Sequence, residues 1–134
     1  MFLIMRGSLF RRPRVDYEMT KKSSYEEVRC WLLDCYYQYC RGKLIGEKQW
    51  APDEFEFGYA YDQIYDADAP VLERLMVEVL VIVLAAGRAP AAEEYHRQQI
   101  ASLLAESDLK VIFYDTNEDE IEGLLQDMKI LRLV

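Results

Sequence analysis

The chain has 134 residues, 51% of them apolar, and a formal net charge of −8. That length suits one domain, the apolar share is enough for a hydrophobic core, and hydrophobicity this high beside the charge excludes a disordered chain. The charge is unevenly divided: residues 1–43 carry nine Lys/Arg against five Asp/Glu, and residues 44–134 carry seven against nineteen. A body this acidic repels phosphate backbones and anionic lipid and speeds its encounter with a basic partner.

Residues 1–5 are apolar, but Arg6 follows and no secretory h-region forms. The longest apolar run, residues 79–86, is too short to span a bilayer, so the chain reads as cytoplasmic. Residues 1–22 read as a disordered basic arm, with Arg6, Arg11, Arg12 and Arg14 around Pro13 and then Lys21 and Lys22. A bare charge run of this kind is usually solvated. Met19 is a second candidate start, which would leave residues 1–18 outside the native protein. A single helical domain is expected over 23–134.

Ser24 and Glu27 form an S-x-x-E capping box. Val28, Trp31, Leu32, Cys35 and Tyr39 then recur at helical spacing, which predicts an amphipathic helix over 24–41 ending at Gly42, the natural terminator. Cys30, Cys35 and Cys40 are spaced five apart, and each such step turns an α-helix by about 140°. The three therefore point in different directions and read as small buried or half-buried apolar residues. Their odd number suits a reducing compartment.

Residues 43–69 interleave Trp50, Phe55, Phe57, Tyr59, Tyr61 and Tyr65 with Asp53, Glu54, Glu56, Asp62, Asp66 and Asp68. The aromatics alternate from Phe55 to Tyr61, so an extended segment is expected around 53–58, running into a short helix over 59–66. Pro70 opens the next helix, 71–86, where only Glu78 is charged between Leu75 and Ala86; a helix apolar nearly all round belongs in the middle of a bundle. Gly87 ends it and Pro90 starts another over 91–106, with His96, Ile100 and Leu103 on one face. Val111, Ile112, Phe113 and Tyr114 favour a strand by propensity, but a lone strand has no partner, so a short helix is expected there. Asn117 and Glu120 imitate a capping box before a last stripe of Ile121, Leu124, Leu125, Met128 and Leu131. The expected fold class is all-α, a bundle of about five helices.

The residues give little chemistry. His96 is the single histidine, and no G-x-S-x-G, P-loop or G-x-G-x-x-G occurs. Glu93 and His96 make one E-x-x-H, whereas a four-helix di-iron site needs two copies with two further Glu. His96 therefore reads as a core-edge histidine bonded to a neighbour such as Tyr95 or a backbone group. No catalytic residue, cofactor or metal is expected. The acidic-aromatic stretch is the candidate surface for a protein partner, with Asp53, Glu54, Glu56, Tyr59, Tyr61, Asp62, Tyr65 and Asp66 as binding residues. Tyr and Trp are favoured at interface hot spots, and acids beside them suit Arg or Lys on a partner. The alternative is that the aromatics are core and the acids their solvent-facing neighbours.

Three stretches carry a resemblance: Phe55-Glu56-Phe57-Gly58-Tyr59-Ala60-Tyr61-Asp62-Gln63-Ile64, the apolar helix ending Ala85-Ala86-Gly87-Arg88-Ala89-Pro90, and Glu94-Tyr95-His96-Arg97-Gln98. Together, over residues 23–132, they resemble small immunity proteins of bacterial polymorphic-toxin and contact-dependent inhibition systems. The resemblance implies a protein that binds a cognate toxin domain, often a nuclease, and neutralises it in the cytoplasm of the producing cell. It implies no membrane or nucleic-acid partner, and the basic arm has no counterpart in it. An acidic regulatory subunit or nucleic-acid mimic is the competing reading, ahead of a metal-dependent enzyme.

Overall fold

The structure, a computed structural model, describes residue 15 and residues 18–47, 51–106 and 118–133. Most of the expected arm, Trp50, the 111–114 stretch and Asn117 with its capping box lie outside the described residues. Among those described there are five helices and no strand, an all-α fold.

Helix α1 (Tyr25–Cys35) begins at Ser24, whose side chain accepts from Glu27 N–H while Glu27 caps the Ser24 N–H in return. It does not stop at Gly42. It widens into a π-helical stretch, Tyr36–Arg41, and closes with an α-turn, Gly42–Leu44. Gly42 is buried and right-handed at φ −60°. The terminator is Gly46, at φ +86°. The Gly46 N–H bonds to Lys43 O and the Glu47 N–H to Gly42 O, a Schellman motif that needs its left-handed residue at that position.

Helix α2 (Glu54–Asp66) takes in the whole stretch expected to be extended. Asp53 caps it, accepting from the N–H groups of Phe55 and Glu56. The two-residue alternation of aromatics is therefore laid on a helix. Phe57, Tyr61 and Tyr65, four apart, share the inner side with buried Ala60 and Ile64, whereas Phe55 points outward at 76% exposure. Asp68 ends α2 in the left-handed region at φ +52°, with the same pair of closing bonds; Asp is among the few side chains that visit this region readily.

Helix α3 (Val71–Ala85) is the middle of the molecule and packs against each of the other four helices, the π-helical stretch of α1 included. Leu72, Leu75, Met76, Val77, Val79, Leu80, Ile82 and Val83 are all buried, and Val81, Leu84 and Ala85 are partly exposed. A short turn leads into α4 (Pro90–Glu106), its most extensive neighbour, and α5 (Glu118–Ile130) adds Ile121, Leu124 and Met128 to the core. The packed body begins before residue 23. Met19 is buried, its N–H donates to Glu56 at 2.6 Å, and Gln63 donates to Thr20 O. The boundary of the arm is corrected accordingly.

Leu80→Ala should lower stability by about 2–5 kcal/mol, the range for a fully buried leucine, and Leu84→Ala, only partly buried, by less. Gly58 is exposed in the middle of α2, and a Cβ added there would meet nothing within 4 Å. It predicts the opposite sign: Gly58→Ala should stabilise by about 0.5–1 kcal/mol. Denaturant midpoints at unchanged m-value check all three.

Candidate functional site

The central helix carries a charge where no water reaches. Glu78 is 0% exposed. Its Oε2 accepts from the Tyr61 hydroxyl at 2.7 Å and from the Tyr65 hydroxyl, and its Oε1 lies 2.6 Å from His96 Nδ1. The donors come from α2 and α4, so this one carboxylate joins three helices. A carboxylate only accepts, so His96 Nδ1 is the donor of this bond. Burial first, and then the bonds to Glu78, push both phenols well above the ordinary tyrosine value.

Two neighbouring cavities lie along α2 and α3, and Tyr61 and His96 of this cluster line the smaller. One, of about 230 Å³, is lined by Phe57, Gly58, Tyr61, Asp62, Val81 and His96. The other, of about 290 Å³, lies between the start of α2 and the end of α3, against Pro52, Phe57, Val81, Leu84 and Ala85, with Glu54 and Arg88 at its edge. Phe57 and Val81 belong to both, which makes them one groove with an acidic rim.

The residues expected to bind a partner divide between this groove and the fold. Asp53 is the α2 cap, and Glu56 holds the Met19 N–H. Tyr61 and Tyr65 are tied to Glu78, their rings 5.0 Å apart. Glu54 is exposed and 3.6 Å from Arg88. Asp62 and Asp66 are exposed, and Tyr59 is partly buried on the flank of α2.

The E-x-x-H pairing does not form a site. Glu93 is bonded to Arg97 at 2.9 Å, and His96 turns to Glu78 instead of to the backbone, with the Tyr95 ring edge-on at 5.0 Å. Among the described residues no three His, Cys, Asp or Glu side chains gather as metal ligands would. Cys35 and Cys40 are both buried and Cys30 half-buried; burial pushes the Cys35 and Cys40 thiols far up, which makes them unreactive.

Sequence reasoning missed Glu78 as a member of the site although it stood out as the lone charge between Leu75 and Ala86. The signal was present. Glu78 and His96 lie nine residues either side of Gly87, the spacing that a helical hairpin folding at Gly87 brings face to face.

Two further buried acids are satisfied in the same way. Glu73 accepts from Tyr25 and, at 2.8 Å, from Arg29, and Asp127 accepts from Tyr36 and Arg41. Burial, helped by these acids, raises Tyr25 and Tyr36 as well.

Compared with family models, curated proteins and solved structures, the chain matches none.

Tyr61→Phe removes one of the donors on Glu78 and should cost about 1–3 kcal/mol, the penalty for leaving a buried acceptor short. A second expectation concerns high pH. Tyr25, Tyr36, Tyr61 and Tyr65 are all raised in the folded state, whereas in the unfolded chain they ionise near the free value of about 10. The unfolded state then loses protons first. Stability is complete below about pH 10 and falls as the pH rises above it. Tyrosinate absorbance from these four should emerge together with the loss of helical circular dichroism. Full tyrosinate absorbance in a chain that keeps its helicity would show that the hydroxyls are not held as described.

Proposed function

We propose that this chain is a protein inhibitor of the immunity type, which binds a basic toxin domain through the outer face of α2 and the groove beside it and neutralises it in the cytoplasm of the producing cell. The observation that carries the reading is the composition of that face. Exposed Glu54, Asp62 and Asp66 and the outward Phe55 share α2 with an apolar groove, one wall of which, Tyr61 and His96, is held by Glu78. Acids at a rim steer a cationic partner, and an apolar floor supplies the contact that holds it. Rigid walls lower the ordering cost of binding. The acidic body, seven basic against nineteen acidic residues over 44–134, extends the same field.

Tyr61 and His96 serve this surface as fixed walls, because both are committed to Glu78. Asp62 and Asp66 are the steering charges. The decisive test is co-expression of the chain with the product of the neighbouring gene, read as growth rescue and as co-purification of the pair. If growth is not rescued and the purified proteins do not associate, the reading is wrong.

Asp62→Asn with Asp66→Asn should slow association several-fold at low ionic strength and much less at high, since salt screens exposed charges. Its melting curve should match that of the parent, both carboxylates being exposed and outside the core. Rate constants from surface plasmon resonance across a salt series check this.

A further inference from the structure

The groove contains a glycine for which the helix has no use. Gly58 lies mid-way along α2, it is exposed, and a Cβ placed there would meet nothing within 4 Å. It makes no turn, and no packing within the described chain requires it. Glycine in a helix interior weakens the helix, and one of its positive uses is to let another molecule approach the backbone closely. The groove passes directly over it, since Gly58 lines the smaller cavity.

The neighbours of Gly58 define what approaches. Asp62 stands at the same cavity and makes no ion pair among the described residues, and no Lys or Arg lines it. The ring of His96, 16% exposed and held by Glu78 through Nδ1, closes one side. Phe57 and Tyr61 add aromatic surface. A carboxylate beside ring faces suits a guanidinium, which is planar, always charged and stacks on rings. An anion would meet the carboxylate of Asp62 and find no Lys or Arg in the lining. The adjoining larger cavity, with Val81, Leu84 and Ala85, suits an apolar side chain, and its one cation, Arg88, is already opposite Glu54.

We infer that the groove over Gly58 receives an arginine side chain of the partner protein, carried beside an apolar side chain that fills the cavity between α2 and α3. The inference rests on the reading of this chain as a protein-binding inhibitor and gives the partner's contact its chemistry.

The probe is acetyl-Leu-Arg-amide, titrated into the isotopically labelled full chain and followed by NMR at Gly58, Val81 and His96. The neutral isostere acetyl-Leu-citrulline-amide is the control. The arginine peptide should shift all three signals saturably and bind at least tenfold more tightly than the citrulline peptide. Asp62→Asn should weaken it at least fivefold. Gly58→Leu should abolish it while keeping the parental circular-dichroism spectrum and melting temperature or raising the latter. Equal binding of the two peptides overturns the inference. So does the absence of shifts up to the solubility limit, or undiminished binding by folded Gly58→Leu.

Growth rescue by the same variant separates this inference from the functional reading. If Gly58→Leu loses the peptide but still rescues growth fully, the groove is not the docking site and the inhibitor reading survives. If the parent chain binds the arginine peptide but rescues no growth and captures no neighbour, the groove's chemistry stands and the inhibitor reading falls.

Discussion

A carboxylate with no exposure, set in the run of α3 that is otherwise apolar from Leu75 to Ala85, is the constraint around which this molecule is arranged. An unpaired charge in such a place would cost far more than the fold can supply. Glu78 is therefore tolerable only while Tyr61, Tyr65 and His96 all reach it. Tyr61 and Tyr65 sit one turn apart on α2, and His96 sits on α4, so the requirement fixes how both helices are rotated about α3. A rotation that would be nearly free for a purely apolar seam would here orphan the charge. Two of the same side chains, Tyr61 and His96, line the smaller cavity of the groove, so the device that sets the helix register also fixes that wall.

The molecule uses this device twice more, with a cation added. At Glu73 the donors are Tyr25 and Arg29, four apart on an ordinary α-helix. At Asp127 they are Tyr36 and Arg41, five apart, and on an α-helix five residues end about 140° away from where they began. The π-helical stretch Tyr36–Arg41 removes that conflict. Its wider turn carries Arg41 round to the side of Tyr36, so both meet the carboxylate on α5. The irregularity in α1 has a definite cause, which is that Asp127 is buried and needs both donors.

What could be read from the sequence follows from how local each cause is. The Ser24–Glu27 box, the all-round apolar character of α3 and Pro90 at the start of α4 act within one turn or one helix, and the helices are where those signals put them. The stretch 53–58 misled because the alternation of Phe55, Phe57 and Tyr59 has a strand's period, while the Asp53 cap and the four-residue spacing of Phe57, Tyr61 and Tyr65 are the causes that prevail. Gly42 misled because a glycine marks a helix end only if its carbonyl and N–H neighbours can close the motif, and the π-helical stretch moves that closure to Gly46. Within the candidate site the acids of the stretch were legible as a group but not one by one. Whether Asp53 caps a helix, Glu56 holds a backbone N–H or Asp62 faces solvent depends on contacts across 37 residues or more, as between Glu56 and Met19, or on the register of a helix that the alternation concealed.

Glu73, Glu78 and Asp127, three of the four buried acids among the described residues, also differ in the field they leave behind. At Glu73 and Asp127 a guanidinium stands against the carboxylate at hydrogen-bond distance, so most of the charge is cancelled where it arises. At Glu78 two of the three donors are phenols held in their neutral form, which contribute hydrogen bonds and no charge. The third is the His96 ring, so among the described residues no Lys or Arg stands against Glu78. Two of its partners, Tyr61 and His96, line the cavity that Asp62 borders. Salt screens Asp62, which is exposed, but reaches a buried charge much less. The exposed carboxylate of Asp62 thus draws a cation in from solution, and the ring faces of Phe57 and Tyr61 continue to favour it once water has been displaced.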